Sequence, residues 1–277
     1  MTETGASATG VGVALVTGAS RGLGAVIARR LGADGHTVAV NYHSEHENAH
    51  QVAADIRAAG GSAEAFAGDI TDEAATAELV AQVTDRLGPV EILVLNATGP
   101  QPKVAFEDLT WQTHLDQLHF FVKSPTLLIQ AALPGMKAHG GGRVIQIGSD
   151  IVDRALPGMS AYIAAKAAQH ELTRAWAREL GPYGVTVNLV APGFIPVERH
   201  AEIGAEELAT YRARVPLGRM GTPDDVAGAV SFLASEAAAF VTGERITVNG
   251  GHTIGRPEPH GPGPLCLLVA TSRRNHA

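Results

Sequence analysis

The chain has a single cysteine, Cys266, among its 277 residues. An internal disulfide is therefore excluded, and the usage fits a reducing compartment. Aromatic residues make up only 5% of the sequence. The interior must then be built from the abundant Ala, Val, Leu and Gly, small side chains that suit helices packed tightly on a sheet. There is no excess of positive charge: the formal net charge is −7, which argues against a nucleic-acid partner. No apolar run reaches the roughly 20 residues needed to cross a bilayer, so no membrane association is expected. Residues 1–7, MTETGAS, lack the basic and apolar regions of a signal peptide. A cytoplasmic protein is the expectation. His114 and His119 lie five apart, wrong for one helical face, so no metal site is expected.

What is present is a rhythm. With 45% hydrophobic and 18% charged residues, the length suits one globular domain. Short apolar runs alternate with longer stretches of helical periodicity. Val11–Thr17, Thr37–Tyr42, Ala63–Ala67, Ile92–Asn96, Val144–Ile147, Val185–Val190 and Arg245–Val248 read as seven strands. Leu23, Ile27 and Leu31 repeat every four positions between the first two strands. Leu79, Val83 and Leu87 do so before the fourth, and Val226, Val230 and Leu233 are expected to face inward before the seventh. One long helical region is expected from Thr110 to the glycines at 140–142. Thr222-Pro-Asp-Asp225 is a helix start, with a hydroxyl cap, proline next and acids in the first turn. Strands alternating with helices imply βαβ units. The fold class expected is α/β: a three-layer, Rossmann-type, doubly wound sheet of seven mainly parallel strands. Residues 1–10 form a lead-in, 11–254 the domain, 194–216 a substrate loop, and 255–277 a Pro/Gly-rich tail. Six consecutive apolar residues in that tail favour docking on a neighbouring subunit. Trp111 and Trp176 are expected to be packing residues.

Two stretches carry chemistry. Tyr162 opens an Ala-rich helical run and Lys166 follows four positions later, on the same helical face. A free phenol titrates near 10 and is a poor proton shuttle at neutral pH. A fixed ammonium beside it favours the phenolate. Bringing the phenol to neutrality needs roughly 4 kcal/mol of differential stabilisation, within reach of a close, partly desolvated cation. Such a group suits carbonyl reduction or alcohol oxidation. Ser149 lies just past a strand, where hydroxyls face the ligand crevice of open α/β sheets. The second stretch is the turn from Thr17 to Gly24, with Gly18, Gly22 and Gly24 between a strand and a helix. Glycines there let a pyrophosphate approach the helix N-terminus. Asp150, Asp153 and Arg154 either line a polar pocket or serve in capping and surface pairing.

Thr17-Gly18-x-x-x-Gly22-x-Gly24, Asn96-Ala97, Ser149, Tyr162-x-x-x-Lys166, Asn188 and Pro192-Gly193 together resemble the short-chain dehydrogenase/reductase family. The resemblance covers about residues 11–251, and its nearest general likeness is to the 3-oxoacyl-(acyl-carrier-protein) reductases. It implies hydride transfer between a nicotinamide and a carbonyl carbon. Tyr162 would be the acid/base, Ser149 would hold the substrate oxygen, and Lys166 would tune Tyr162 and bind the nicotinamide ribose. Gly18, Ser20, Arg21, Gly22, Leu23 and Gly24 would carry the phosphates. Asn41, Tyr42, His43 and Ser44 would border the ribose, Asp69 and Ile70 the adenine, and Asn96 and Ala97 the cofactor's length. Pro192, Gly193 and Ile195 would form the nicotinamide side. The second strand ends without an acid, and Arg21 adds positive charge nearby. NADPH is therefore expected over NADH, although Glu45 and Glu47 weigh against it. The resemblance also implies a homotetramer and a small-molecule carbonyl or alcohol substrate.

Three departures stand out. The family usually places an Asn in the helix before the serine, where it bends the helix and holds a relay water. That position is Phe121, and no Asn occurs between Thr110 and Pro134. The usual Thr after Pro-Gly-x-Ile is Val197. The usual Asn-Asn-Ala-Gly becomes Leu95-Asn96-Ala97-Thr98-Gly99. These leave two other readings: an NAD-dependent alcohol or sugar dehydrogenase, and a dinucleotide-binding regulator with weakened catalysis. Retention of Ser149, Tyr162 and Lys166 argues against the latter.

Overall fold

The structure is a computed structural model that describes residues 12–254. The expectations for residues 1–10, for Val11 as a strand residue and for the tail at 255–277 lie outside the described residues.

The apolar runs form seven strands: β1 (Val13–Val16), β2 (Thr37–Tyr42), β3 (Ser62–Ala67), β4 (Val90–Leu95), β5 (Gly142–Ile147), β6 (Val185–Pro192) and β7 (Arg245–Val248). Their order across the sheet is β3-β2-β1-β4-β5-β6-β7. Every neighbouring pair runs parallel, so the sheet is wholly rather than mainly parallel. The helices are α1 (Gly22–Ala33), α2 (His46–Ala58), α3 (Glu73–Leu87), α4 (Trp111–Leu118), α5 (Ser124–His139), α6 (Ile151–Arg154), α7 (Ser160–Leu180), α8 (Ala205–Ala213) and α9 (Pro223–Ala234). None of the described helices is long and apolar enough to cross a membrane.

A parallel sheet covered on both faces needs apolar residues at every strand position, which is why the strands read as continuous runs. Ala14 and Val16 face one cluster, built with Ile27 and Leu31 of α1, Val52 and Ile56 of α2, and Val226, Val230 and Leu233 of α9. Val13 and Leu15 face the other, with Leu79 and Val83 of α3, Leu128 and Met136 of α5, and Leu180 of α7. Leu15 is fully buried, which is worth about 1.5–3 kcal/mol. The chain winds outward from β1 to β3, then returns to start β4 on β1's other side. That reversal opens a crevice beyond the carboxyl ends of β1 and β4.

Caps fix the helix ends as the sequence implies. Thr222 Oγ1 accepts from the Asp225 N–H at 3.3 Å, and Asp225 Oδ2 accepts from the Thr222 N–H at 2.8 Å. Arg219 grips the same carboxylate through two nitrogens, both at 2.6 Å. These contacts, Arg219 first, hold the Asp225 carboxyl well below the usual range. A depressed acid adds stability that is present above its unfolded value and lost as pH falls toward its folded one. Asp225→Ala should thus cost about 1 kcal/mol at pH 7. The gap should narrow below about pH 4. Urea denaturation at pH 7 and pH 3 reads both; an equal gap at the two pH values would refute the linkage.

The long helical region is interrupted. Between α4 and α5 the chain makes a π-helical turn, His119–Lys123, a feature that often bends helices at functional sites. The Ser124 hydroxyl donates to the His119 carbonyl at 2.8 Å, and the Thr126 hydroxyl to the Val122 carbonyl at 2.7 Å. The helical region is thus interrupted although no Asn is there to do it. Trp111 departs from expectation: it opens α4 on the surface, 68% exposed, because only the far face of that helix meets α7. Trp176 does pack against the second cluster.

Candidate active site

The glycine turn is built by backbone need. Gly18 and Gly22 have φ of +61° and +55°, the left-handed region that glycine enters at little cost. Gly24 is different: its backbone is ordinary, but a side chain there would put Cβ 2.5 Å from Asn96 Nδ2 and against the Gly18 carbonyl. Asn96 explains the closeness. Its Nδ2 donates to the carbonyls of Thr17 and Gly18, at 2.9 and 3.1 Å. The Thr17 hydroxyl accepts from the N–H groups of Asn96 and Ala97, at 3.0 and 3.1 Å, and donates to the Val94 carbonyl. The Nδ2 end of the Asn96 carboxamide therefore holds the turn, while the residue lines the cleft.

The tip of β2 divides similarly. Asn41 is buried; its Oδ1 accepts from the Gly18 N–H at 3.3 Å and its Nδ2 donates to the Gly68 carbonyl at 3.2 Å. Tyr42 is buried in the first cluster with its ring edge-on to His46. The Asn41 side chain thus ties the ends of β1, β2 and β3 together, and both residues also border the cleft at the tip of β2. His43 and Ser44, by contrast, are exposed. Arg21 is exposed too, but lies 3.5 Å from Glu45, the residue that caps α2. Asp69 accepts from the Thr71 N–H and hydroxyl at 2.9 and 2.7 Å. Burial pushes its carboxyl up, and these bonds outweigh that and leave it below the usual range.

Past β5 the chain turns sharply. Gly148 permits this, since a Cβ there would collide with Leu189. Ser149 follows, its Oγ accepting from the Ile151 N–H at 3.2 Å. Helix α7 brings Tyr162 and Lys166 beneath it. Tyr162 is half-buried, while Lys166 is 4% exposed. The Lys166 ammonium donates to the Ile147 carbonyl at 2.7 Å and to Gln169 Oε1 at 3.0 Å. It also sits 3.7 Å from the centroid of the Phe121 ring and 5.8 Å from that of Tyr162. Phe121 meets the Tyr162 ring edge-to-face, 5.4 Å between centroids.

All of the sequence-predicted site residues line one cleft of about 620 Å³. The turn after β1, the tips of β2 and β3 and the end of β4 form one half; Ser149, Tyr162, Lys166, Pro192, Gly193 and Ile195 form the other. The first turn of α1 has no acidic residue and no side-chain cap. Its orphan N–H groups, the positive helix end and a cradle that any Cβ would fill suit a pyrophosphate. The residues present therefore fit a dinucleotide.

Sequence reasoning did not find the cluster beside Ser149. Asp150 is 1% exposed. It accepts from Asn249 Nδ2 at 3.2 Å, with Arg154 at 3.7 Å and His252 at 3.8 Å. Burial raises its carboxyl above the usual range, and burial lowers the His252 imidazole. His252 stacks on Tyr211 of α8 at 4.5 Å, and the Tyr211 hydroxyl accepts from the Phe194 N–H at 2.8 Å. Asp150 and Arg154 line the cleft, whereas Asp153 pairs with Arg245 on the surface. The only sequence signal was the run Asp150, Asp153, Arg154 after Ser149; its partners come from 60 to 100 residues further on. Val197 and Glu198 of the 194–216 segment close over Gly22, the Glu198 carboxylate 3.5 Å from where a Cβ would stand.

A family model described as enoyl-(acyl carrier protein) reductase matches residues 18–253. The 3-oxoacyl-[acyl-carrier-protein] reductase of Staphylococcus aureus is 36% identical over 240 residues, covering 86% of this chain and 96% of the relative. The chain belongs to the short-chain dehydrogenase/reductase family. It is accordingly an NAD(P)-dependent oxidoreductase acting on carbonyl or alcohol groups. Among solved structures, a blue fluorescent protein from a metagenomic library in complex with NADPH has a TM-score of 0.80 at 37% identity, covering 87% of this chain and 97% of that one. A gluconate 5-dehydrogenase from Burkholderia cenocepacia, in complex with NADP and tartrate, has a TM-score of 0.81 at 30% identity, covering 87% and 95%.

Proposed function

We propose that this short-chain dehydrogenase/reductase is an NADPH-dependent reductase of a 3-oxoacyl thioester or similar ketone, with Tyr162 as the proton donor. The observation that carries the reading is the meeting of Ser149, Tyr162 and Lys166 in the half of the cleft that faces away from the glycine turn. When bound there, a reduced nicotinamide supplies a hydride to the carbonyl carbon. Ser149 Oγ holds the carbonyl oxygen by a hydrogen bond. Tyr162 gives its phenolic proton to that oxygen as charge builds on it. The Lys166 ammonium, fixed by the Ile147 carbonyl and Gln169, stabilises the phenolate left behind. Pro192, Gly193 and Ile195 wall the nicotinamide side and Gly18, Gly22 and Gly24 receive the phosphates.

Preference for NADPH is supported by the exposed tip of β2, where His43 and Ser44 offer donors and no carboxylate. Glu45 shares the charge of Arg21 in an exposed pair worth only about 0–1 kcal/mol, which a 2′-phosphate competes with readily. The relative solved with NADPH favours the same direction. A cytoplasmic homotetramer is part of this reading. The likeness to a gluconate 5-dehydrogenase favours a second one, oxidation of a sugar-type alcohol at the same residues. A panel of ketones and alcohols, followed at the nicotinamide absorbance with both cofactors, separates them. The expected result is ketone reduction with a lower KM for NADPH than for NADH. A markedly lower KM for NADH would overturn the cofactor assignment, and turnover confined to alcohols would favour the second reading.

A further inference from the structure

The ring of Phe121 stands in an unusual place for a phenylalanine. It is 2% exposed and sits in the π-helical turn between α4 and α5. The buried Lys166 ammonium lies 3.7 Å from its centroid, and the Tyr162 ring meets it at 5.4 Å with planes 73° apart. A cation over an aromatic face is attracted by the ring's negative quadrupole, most strongly where water is excluded. An edge-to-face contact fixes the second ring's orientation. Two hydrogen bonds also hold the ammonium, to the Ile147 carbonyl of β5 and to Gln169 Oε1 of α7. Phe121 adds a third side from a different helical segment.

We propose that Phe121 is a positioning residue for the reaction: its π face anchors the Lys166 ammonium while its contact with the Tyr162 ring holds the phenol in register with that charge. The inference rests on the reading of Tyr162 and Lys166 as the working pair. In this protein an aromatic face supports the lysine from the helix that bends behind it, and the π-helical turn is what carries the ring inward to do so. A hydrocarbon of similar size fills the same space but offers the cation nothing.

The test uses fluorinated phenylalanines at position 121, which keep the ring's shape while weakening and then reversing its quadrupole, together with Phe121→Leu. Two readouts apply. In alcohol oxidation, where the Tyr162 phenolate is the base, the rise of kcat/KM with pH should move alkaline by about one pH unit, or about tenfold in rate on the rising limb. Phe121→Tyr, which keeps a π face, should restore the profile. Asp150 and Arg154, the charged groups lining the same cleft from the β5 side, are unchanged throughout the series. The second readout needs no turnover. In the lysine-labelled protein, the Lys166 ε-methylene should resonate upfield through the ring current, and return toward the ordinary position in Phe121→Leu. Lys137, 3.7 Å from the Tyr183 ring, is the internal reference that should not move. If the pH profile ignores fluorination and the Lys166 resonance is the same in Phe121→Leu, Phe121 is packing only and the proposal fails. Undiminished activity in Tyr162→Phe would instead overturn the underlying assignment.

Discussion

Tyr162→Phe is expected to lower NADPH-dependent carbonyl reduction by at least 10²- to 10⁴-fold, the usual contribution of a positioned acid/base. The loss should fall on kcat and leave cofactor binding, read by quenching of protein fluorescence, close to the wild-type value. The reason is local. The Tyr162 ring packs edge-to-face on Phe121, and phenylalanine preserves that contact while removing only the hydroxyl. The ammonium of Lys166 keeps its bonds to the Ile147 carbonyl and Gln169, so the floor of the cleft should stay intact. A variant that still reduced ketones at the wild-type rate would remove the central claim. A loss that came with weakened cofactor binding would point to collapse of the site rather than to missing proton transfer.

The second large effect is expected at Gly24. A methyl group there would stand 2.5 Å from Asn96 Nδ2, 3.0 Å from Ala19 Cα and against the Gly18 carbonyl. Two of those three neighbours are backbone and cannot rotate away. The turn must therefore shift, with strain of about 1–3 kcal/mol. It would also break the bonds by which Asn96 holds the Thr17 and Gly18 carbonyls. Gly24→Ala should weaken NADPH binding by more than tenfold and lower the melting temperature. Gly228 in α9 is the control: it is also helical, and a Cβ there meets nothing within 4 Å. Gly228→Ala should stabilise by up to about 1 kcal/mol and leave cofactor affinity unchanged. Calorimetric titration with NADPH and thermal melts of both variants decide the matter; equal cofactor affinity in the two would show that the turn is not the phosphate cradle.

The parts of this fold that were legible in the sequence are those set by neighbours in the chain. The run Thr37–Tyr42 is β2 to the residue. Thr222 and Asp225 cap α9 as their spacing demands, and Leu79 and Val83 of α3 face inward as their period demands. The site was legible because glycine turns and Tyr-x-x-x-Lys are local patterns too. What the sequence did not disclose depends on residues brought from afar. Asn41 is a polar residue at a strand tip, and only the approach of Gly18 and Gly68 makes it a buried brace as well as part of the cleft wall. Asp150 acquires its meaning from Asn249 and His252, about a hundred positions away. The π-helical turn holds no proline or glycine of its own, and Pro125, two positions on at the start of α5, is its one local signal. Trp111 lies on the surface because of which way α4 rolls, which its own residues do not dictate.

The hydroxyl of Thr17 joins β1 to Val94, Asn96 and Ala97, some 80 residues later. The turn proposed to receive the phosphates is therefore not a property of the first strand and helix by themselves. It is complete only when β4 has paired with β1, in a sheet whose pairings are all non-local. Occupancy of the cleft is then thermodynamically coupled to cooperative folding of the entire domain. A dinucleotide at a hundred times its dissociation constant would reinforce the native state by about 2.7 kcal/mol, spread over every strand rather than confined to the loops it touches.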